Sequence, residues 1–252
     1  MSKNKNPVTQ KSGLSTNVIL TIVVVIVAVV VIGGVLLFNR GGADNTSSSS
    51  SGGGNVVAAE ILRKPDSNVL TSAPDDRVTV VEFLDYQCPA CHTYYSVLTK
   101  QVEKDYAGKI TFVVRNFPLN MHPLARPAAQ AAEAAALQGK FNEMYHALYD
   151  NYDAWALAAD GQNVSTDEAK ARGLFDQYAQ QIGLDLDKFH QDMNSPQVNA
   201  KIDADVADGN KAGVSGTPTI FINGKQFDQG NIETVEQLNN AFRSELDKEL
   251  VK

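Results

Sequence analysis

The feature that most constrains this chain is the segment Cys88-Pro-Ala-Cys91, which contains its only two cysteines. It follows an apolar run at residues 78–85 that is rich in β-branched and aromatic side chains and predicts a buried strand. A disulfide that closes a loop of only about four residues contributes about 2 kcal/mol of stability in the chain-entropy model. A structural cross-link is therefore a poor explanation of the pair, and a reversible redox couple is a good one.

The N-terminal part of the chain predicts a membrane anchor. Residues 18–38 carry no charged side chain, and a helix of about twenty apolar residues spans about 30 Å of hydrocarbon. Three lysines precede this run, which places residues 1–17 in the cytoplasm by the positive-inside rule. The alternative is a cleaved signal peptide, but its apolar region usually has about 7–15 residues and ends at a cleavage site of small residues. We therefore expect a cytoplasmic tail over 1–17 and a transmembrane helix, acting as a signal anchor, over 18–38.

The rest of the chain predicts a tethered, acidic domain. Residues 39–55 are rich in glycine and serine and predict a flexible linker, and residues 56–252 are long enough to form one domain with a substantial core. Four of the 22 basic residues and none of the 29 acidic ones lie in the first forty positions, which leaves 18 against 29 and a net charge of −11 beyond them. This charge argues against nucleic acid or anionic lipid as a ligand. We expect the domain to lie on the extracytoplasmic side of the cell membrane, where disulfides persist.

Periodicity and capping signals predict alternating strands and helices in the domain. Strands are predicted at residues 78–85, 110–116, 219–223 and 226–228. Helices are predicted at residues 89–106, 122–137, 141–155, 165–182 and 196–213, and from Thr234 onwards. The last two strands meet at Asn223-Gly224, which is typical of a hairpin turn. Capping boxes are predicted where Ser165 is followed by Glu168 and where Thr234 is followed by Gln237.

Cys88 falls where the first predicted strand meets its helix. Backbone N–H groups and the positive end of the helix dipole lower the pKa of a thiol at such a position. An unperturbed thiol, with a pKa near 8.5, is only a few per cent thiolate at pH 7, and lowering the pKa by about 2 units makes the thiolate the majority. Pro89 fits the first turn of the helix, where its missing N–H costs nothing.

Three segments resemble the thioredoxin-fold proteins, specifically the DsbA-like thiol-disulfide oxidoreductases of bacterial envelopes. They are residues 82–91 (EFLDYQCPAC), residues 117–123 (FPLNMHP) leading into the alanine-rich helix, and residues 213–224 (GVSGTPTIFING). The likeness covers about residues 70–250. It implies an α/β thioredoxin fold with a helical insertion at about residues 120–213, between the second strand and the C-terminal hairpin, preceded here by the transmembrane helix.

The resemblance also implies a division of labour between the two cysteines. Cys88 is expected to be the exposed nucleophile and Cys91 its resolving partner, with Pro89 supporting the turn between them. The dipeptide between the cysteines is Pro89-Ala90, whereas the best-known member of the family has Pro-His. This difference removes one stabiliser of the thiolate and leaves the strength of the oxidant open.

Further site residues are implied at a distance from the cysteine pair. Glu82 matches the buried acid that assists proton transfer to the second cysteine in the family, although an outward-facing carboxylate is the alternative. Thr217 and Pro218 match the cis-proline turn, and we expect an extended substrate peptide to bind along this edge. His92 and His122 are expected to be surface or helix-end residues outside the site.

The expected activity is that of an extracytoplasmic thiol-disulfide oxidoreductase, a dithiol oxidase that donates disulfides to exported proteins. It requires no cofactor and no metal. The expected partners are reduced exported proteins as substrates and a membrane-embedded, quinone-linked oxidase for recycling. A reductase and an isomerase share this fold and motif, so both stay open as alternatives.

A c-type haem protein is a more distant alternative. The residues from Cys88 to His92 match the Cys-x-x-Cys-His attachment pattern, and a methionine such as Met121, Met144 or Met193 could supply the second axial ligand. The strand before the motif and the Gly-Thr-Pro-Thr segment at residues 216–219 argue against this alternative, since neither serves a cytochrome.

Overall fold

The computed structural model describes residues 56–230 and 232–252, all of which belong to one compact unit of the chain. The predicted cytoplasmic tail (1–17), transmembrane helix (18–38) and linker (39–55) lie outside the described residues. Within the described ranges, no helix is both long enough and apolar enough to cross a membrane.

A five-stranded mixed sheet forms the centre of the described part. Its strands are β1 (Asn68–Thr71), β2 (Thr79–Leu84), β3 (Thr111–Asn116), β4 (Thr219–Ile222) and β5 (Lys225–Gln226). Their order in the sheet is β1-β3-β2-β4-β5. The central strands β2 and β3 are parallel, and every other neighbouring pair is antiparallel.

Helices precede, connect and follow these strands. They are α1 (Ala59–Leu62), α2 (Pro89–Tyr94), α3 (Lys100–Asp105), α4 (Ala125–Ala136), α5 (Phe141–Asp150), α6 (Tyr152–Trp155), α7 (Glu168–Gln181), α8 (Leu186–Met193), α9 (Pro196–Lys211) and α10 (Val235–Leu250). A π-helical turn, Tyr95–Thr99, joins α2 to α3. Helices α4 to α9 lie between β3 and β4 in the sequence, so the helical insertion is present where it was expected.

Strand β2 is buried on both faces of the sheet. Val80 and Leu84 enter the larger of two hydrophobic clusters, whereas Val81 and Phe83 enter the smaller one, because successive side chains of a strand point to opposite faces. This double burial explains the nearly continuous apolar sequence of the strand. It also places Glu82, the one acidic residue of β2, inside the protein.

Most predicted elements are present, and the turn chemistry is correct in two places. The hairpin turn has positive φ angles of 47° at Asn223 and 82° at Gly224, as the sequence pattern requires. The capping box at Thr234 and Gln237 is present at the start of α10.

Other predictions of elements need correction. The capping box at Ser165 is wrong: Asp167 is the N-cap of α7, and its carboxylate accepts a hydrogen bond from the Lys170 N–H at 2.9 Å. The last strand comprises Lys225–Gln226, not residues 226–228. Strand β1 and helices α1 and α8 were not predicted from the sequence. Strand β1 has only four residues and pairs with β3 alone, so its sequence carries too short a pattern to be read as a strand.

Candidate active site at the cysteine pair

Cys88 occupies the N-cap position of α2, and Pro89 lies at the start of the helix. The Cys88 N–H donates to the Asp85 carbonyl at 3.1 Å, and the Cys88 carbonyl accepts from the His92 N–H at 3.1 Å. Both cysteines are free thiols, with exposed fractions of 6% for Cys88 and 1% for Cys91. Cys88 is therefore more accessible than Cys91, but it is not exposed as expected, because both side chains are buried.

The surroundings of the two thiols shift their pKa values in opposite directions. The pKa of Cys88 is lowered to about 6, chiefly because the Cys91 thiol donates a hydrogen bond to the Cys88 thiolate. Burial and the charge of Asp85 act in the opposite direction, and the Cys91 N–H adds to the lowering. The pKa of Cys91 is raised well above its ordinary value by burial, and then by the neighbouring Cys88 and Glu82. At neutral pH the pair therefore consists of a thiolate at Cys88 and a thiol at Cys91.

Glu82, on β2, is a buried acid whose charge acts on Cys91. Its side chain is 1% exposed, which excludes the outward-facing alternative, and its Oε2 atom has no hydrogen-bond partner. Burial raises the pKa of Glu82 to about 8. Because the charge of Glu82 raises the pKa of Cys91, the two groups are electrostatically coupled. At pH 7 the Glu82 carboxyl is therefore mostly protonated.

The Thr217–Pro218 segment lies directly against the nucleophilic thiol. The peptide bond between the two residues is cis, as the resemblance implied. The Cys88 sulfur lies 3.4 Å from the Thr217 carbonyl oxygen, to which it donates when it is protonated. The structure therefore brings Cys88, Cys91 and Thr217 into one cluster, with Pro89 and Pro218 as their chain neighbours.

Gln87 ties the cysteine segment to the helical insertion. Its side-chain amide, which is fully buried, donates to the carbonyls of Ala156 and Ser165 at 3.1 and 2.8 Å. The same amide accepts from the Leu124 N–H at 2.6 Å, and the Tyr152 hydroxyl donates to the Gln87 carbonyl at 2.6 Å. All three hydrogen bonds of the amide go to backbone groups, so Gln87 holds the turn before Cys88 in a fixed position. The sequence analysis missed this role because the partners of Gln87 are remote in the chain.

Both histidines that were expected outside the site lie next to it. The Nδ1 atom of His122 is 2.7 Å from the Asp85 carboxylate, and the His122 side chain is only 10% exposed. His122 therefore lies just before the start of α4, one of the two expected positions, but not at the surface. The His92 ring stacks on Tyr152 with 4.2 Å between centroids, and burial lowers the pKa of His92. The sequence signal for His122 was its place in the segment 117–123, one of the three that carry the resemblance.

The haem alternative fits this geometry poorly. Cys91 is 1% exposed, and His92 is held flat against Tyr152. In the part of the chain that the structure describes, a cavity of about 220 Å³ lies beside His92, but neither cysteine lines it. The three residues of the attachment pattern therefore do not open onto a common space.

Solved structures of similar fold include several oxidoreductases. A thioredoxin-like oxidoreductase from Silicibacter pomeroyi DSS-3 is 28% identical, with a TM-score of 0.56, over 76% of this chain and 99% of that one. BdbD from Bacillus subtilis, in its oxidised form, is 20% identical, with a TM-score of 0.61, over 79% of this chain and 98% of that one. The thiol-disulfide exchange protein α-DsbA2 from Wolbachia pipientis is 22% identical, with a TM-score of 0.57, over 75% of this chain and 90% of that one. The last two likenesses show the fold alone.

Several curated relatives are longer proteins that are named as Na⁺/H⁺ antiporters. The Na⁺/H⁺ antiporter NhaA 1 of Mycolicibacterium gilvum is 32% identical over 165 residues, which are 64% of this chain and 24% of that protein. The Na⁺/H⁺ antiporter NhaA 3 of Salinispora tropica is 34% identical over 163 residues, 64% of this chain and 22% of that protein. The chain therefore spans about a quarter of the length of these relatives.

A family model described as thioredoxin matches residues 68–241, well over half of the chain. The match begins at β1 and ends within α10, so it includes the whole sheet, the helical insertion and both cysteines. It also includes the Thr217–Pro218 segment beside Cys88. The chain belongs to the thioredoxin family.

Proposed function

We propose that this chain is a membrane-tethered, DsbA-like thiol-disulfide oxidoreductase that donates disulfides to exported proteins. The observation that carries the proposal is the opposite displacement of the two thiol pKa values. The pKa of Cys88 is lowered to about 6 by the hydrogen bond from Cys91, and the pKa of Cys91 is raised by burial. A disulfide oxidant needs one sulfur that leaves the mixed disulfide with the substrate readily, as a thiolate. Its second sulfur leaves only the protein's own disulfide and stays buried.

The reaction begins with the Cys88–Cys91 disulfide. A substrate thiolate attacks the Cys88 sulfur, the bond between the two cysteines breaks, and Cys91 departs with the electron pair. Because the pKa of Cys91 is raised, its departure needs a proton, which the neutral Glu82 carboxyl can supply.

A second substrate thiolate then attacks the substrate sulfur of the mixed disulfide. The substrate leaves with a new disulfide, and Cys88 departs as a thiolate. Since the pKa of Cys88 is about 6, this departure needs no proton donor at neutral pH. The substrate loses two electrons in total, and the protein retains them as the Cys88 thiolate and the Cys91 thiol.

The free energy of the reduced state favours an oxidant over a reductase. A thiol pKa of about 6 in the folded protein, against about 8.5 in an unfolded chain, stabilises the reduced folded form by about 1.4 kcal/mol at pH 7. For a two-electron couple this corresponds to an increase of about 30 mV in the reduction potential. The direction of the shift supports disulfide donation, and its size indicates an oxidant of moderate strength.

The substrate is a reduced, extended segment of an exported protein that binds along Thr217 and Pro218. The Thr217 carbonyl lies 3.4 Å from the Cys88 sulfur, so a peptide that pairs with this edge brings its own sulfur to Cys88. Pro218 has no N–H and therefore adds no competing donor near the sulfurs. The predicted anchor over residues 18–38 holds the domain at the extracytoplasmic face of the cell membrane. There a membrane-embedded, quinone-linked oxidase regenerates the disulfide.

The proposal is tested with the full chain, purified from membranes, in glutathione buffers of graded composition. We expect the Cys88–Cys91 couple to be more oxidising than the glutathione pool and the oxidised protein to form disulfides in a reduced model substrate. The Cys91→Ser variant should accumulate mixed disulfides with substrates, whereas the Cys88→Ser variant should accumulate none. A couple more reducing than glutathione would point instead to a reductase. Recovery of the chain in the soluble fraction would remove the membrane tether from the proposal.

A further inference from the structure

A partly buried pair of Asp85 and His122, which the exchange steps above do not use, lies beside Cys88. Asp85 follows β2 and is 1% exposed, and His122 lies in the loop that follows β3. The His122 Nδ1 atom is 2.7 Å from the Asp85 Oδ2 atom. Asp85 also accepts hydrogen bonds from the N–H groups of Gln87 at 2.7 Å and Leu119 at 2.9 Å. The pair therefore joins the two loops that leave the parallel strands at the edge of the sheet where Cys88 lies.

The Asp85 carboxylate opposes a negative charge on Cys88. The Cys88 N–H donates to the Asp85 carbonyl at 3.1 Å, so the two residues face each other across one turn. The charge of Asp85 raises the pKa of Cys88. Burial by itself lowers the pKa of His122, but the hydrogen bond to Asp85 and the charges of Asp85 and Cys88 together raise it. An imidazolium at His122 is therefore stabilised by both anions.

Among the residues that the structure describes, the other groups around Cys88 supply no positive charge. They are the Cys91 thiol on α2, the Thr217 side chain before β4 and the Tyr152 phenol on α6, whose pKa the Cys88 charge raises after the larger effect of burial. The pKa of His92, which stacks on Tyr152, is lowered by burial. Neither residue between the two cysteines carries a charge.

We propose that His122 is a positioning residue of the disulfide exchange: as an imidazolium held by Asp85, it cancels the carboxylate charge beside Cys88 and keeps that sulfur in its thiolate form. The assignment deepens the proposed function and rests on it. Protonated His122 and the Cys88 thiolate coexist in a window that opens as the pH rises through the pKa of Cys88 and closes as it rises through the pKa of His122. Cys88 is therefore a better leaving group within this window than a thiol beside an unpaired carboxylate.

The test removes the positive charge of His122 and keeps the hydrogen bond to Asp85. In His122→Asn the side-chain amide takes the place of Nδ1–H and can still donate to Asp85, but it carries no positive charge. We expect the rate of alkylation of Cys88 at pH 5 to fall about tenfold, which corresponds to a rise of about one unit in the pKa of Cys88. The double variant Asp85→Asn/His122→Asn, which removes both charges, should recover a rate within about threefold of the unmodified protein. A purely structural role of His122 predicts no such recovery.

A second measurement uses a variant in which the ion pair is intact. The pKa of His122, followed by NMR, should be lower in the oxidised protein and in Cys88→Ser than in the reduced protein, because the thiolate is then absent. Equal His122 titrations in the three forms, or an unchanged Cys88 pKa in His122→Asn, would overturn the assignment.

Oxidation of a reduced model substrate by the unmodified protein is measured in parallel. If the unmodified protein oxidises the substrate while His122→Asn leaves the Cys88 pKa unchanged, only the role of His122 is refuted. If the unmodified protein forms no disulfides in the substrate, the proposed function itself is refuted, whatever the pKa of Cys88 in the variant.

Discussion

The pH dependence of the redox equilibrium measures the Cys88 thiolate directly. The pKa of Cys88 is about 6 in the folded reduced protein, below the value near 8.5 of an unfolded chain. A depressed pKa contributes stability that is fully present above the unfolded value and is lost as the pH falls through the folded value. This contribution to the reduced form is therefore nearly zero at pH 5, about 1.4 kcal/mol at pH 7 and about 2.6 kcal/mol at pH 8.

Glutathione is a suitable reference because its thiol stays protonated throughout this range. Between pH 5 and pH 7, the equilibrium constant for reduction of the Cys88–Cys91 disulfide by glutathione should increase about tenfold, since only the protein releases a proton. The redox state is read by alkylation after acid quenching. The difference in unfolding free energy between the reduced and oxidised proteins should grow by about 1.4 kcal/mol over the same range, with the oxidised form as control for all other groups. An equilibrium constant that changes less than about twofold would refute a thiolate at Cys88 at neutral pH.

Three substitutions probe the buried polar groups around the site and the sheet. Glu82→Gln should raise the unfolding free energy at pH 7 by about 2–4 kcal/mol, because burial raises the pKa of Glu82 to about 8 and folding must take up a proton. This gain should vanish in urea titrations near pH 4, where the unfolded carboxyl is also protonated; a gain independent of pH would contradict the cause. Gln87→Leu leaves three backbone groups without their hydrogen-bond partner and should lower the unfolding free energy, measured in urea, by about 3 kcal/mol. A decrease under about 1 kcal/mol would contradict these contacts. Arg115→Met removes the buried guanidinium from Asp205 and Asp208, which keep only their weaker lysine partners, and should cost about 3 kcal/mol. Arg126→Met, which breaks an exposed pair, should cost under about 1 kcal/mol, and equal losses would show that burial does not decide the difference.

The sequence alone determined the features that depend on neighbouring residues. The Cys88-Pro-Ala-Cys91 spacing after an apolar run placed a thiol at the start of a helix, and the structure has Cys88 at that N-cap. The hairpin at Asn223-Gly224 was predictable because a type I′ turn requires positive φ at both positions. Thr234 and Gln237 were predictable as a capping box because both hydrogen bonds of that motif are local.

Local sequence patterns gave wrong or missing secondary structure where a contact with a distant part of the chain decided the conformation. Ser165 has the residue spacing of an N-cap, yet its carbonyl accepts from the Gln87 amide and the helix begins after Asp167 instead. The four residues of β1 form a strand because the edge of β3 is available to them, not because of their own pattern. Such outcomes depend on surfaces that exist only once the sheet has formed.

The electrostatic character of the site was decided by tertiary structure. The partners in the Asp85–His122 pair are 37 positions apart, and the Cys88–Thr217 contact spans 129 positions, so no local pattern relates them. Glu82 acquires its raised pKa only because both faces of β2 are covered, which removes water from a carboxyl that the sequence marks merely as an interruption. The amino-acid sequence thus identified the two reactive cysteines, whereas the packing of distant loops against the end of the sheet sets the charge on each sulfur. The reason is that desolvation and the effect of nearby charges act through space and not along the chain.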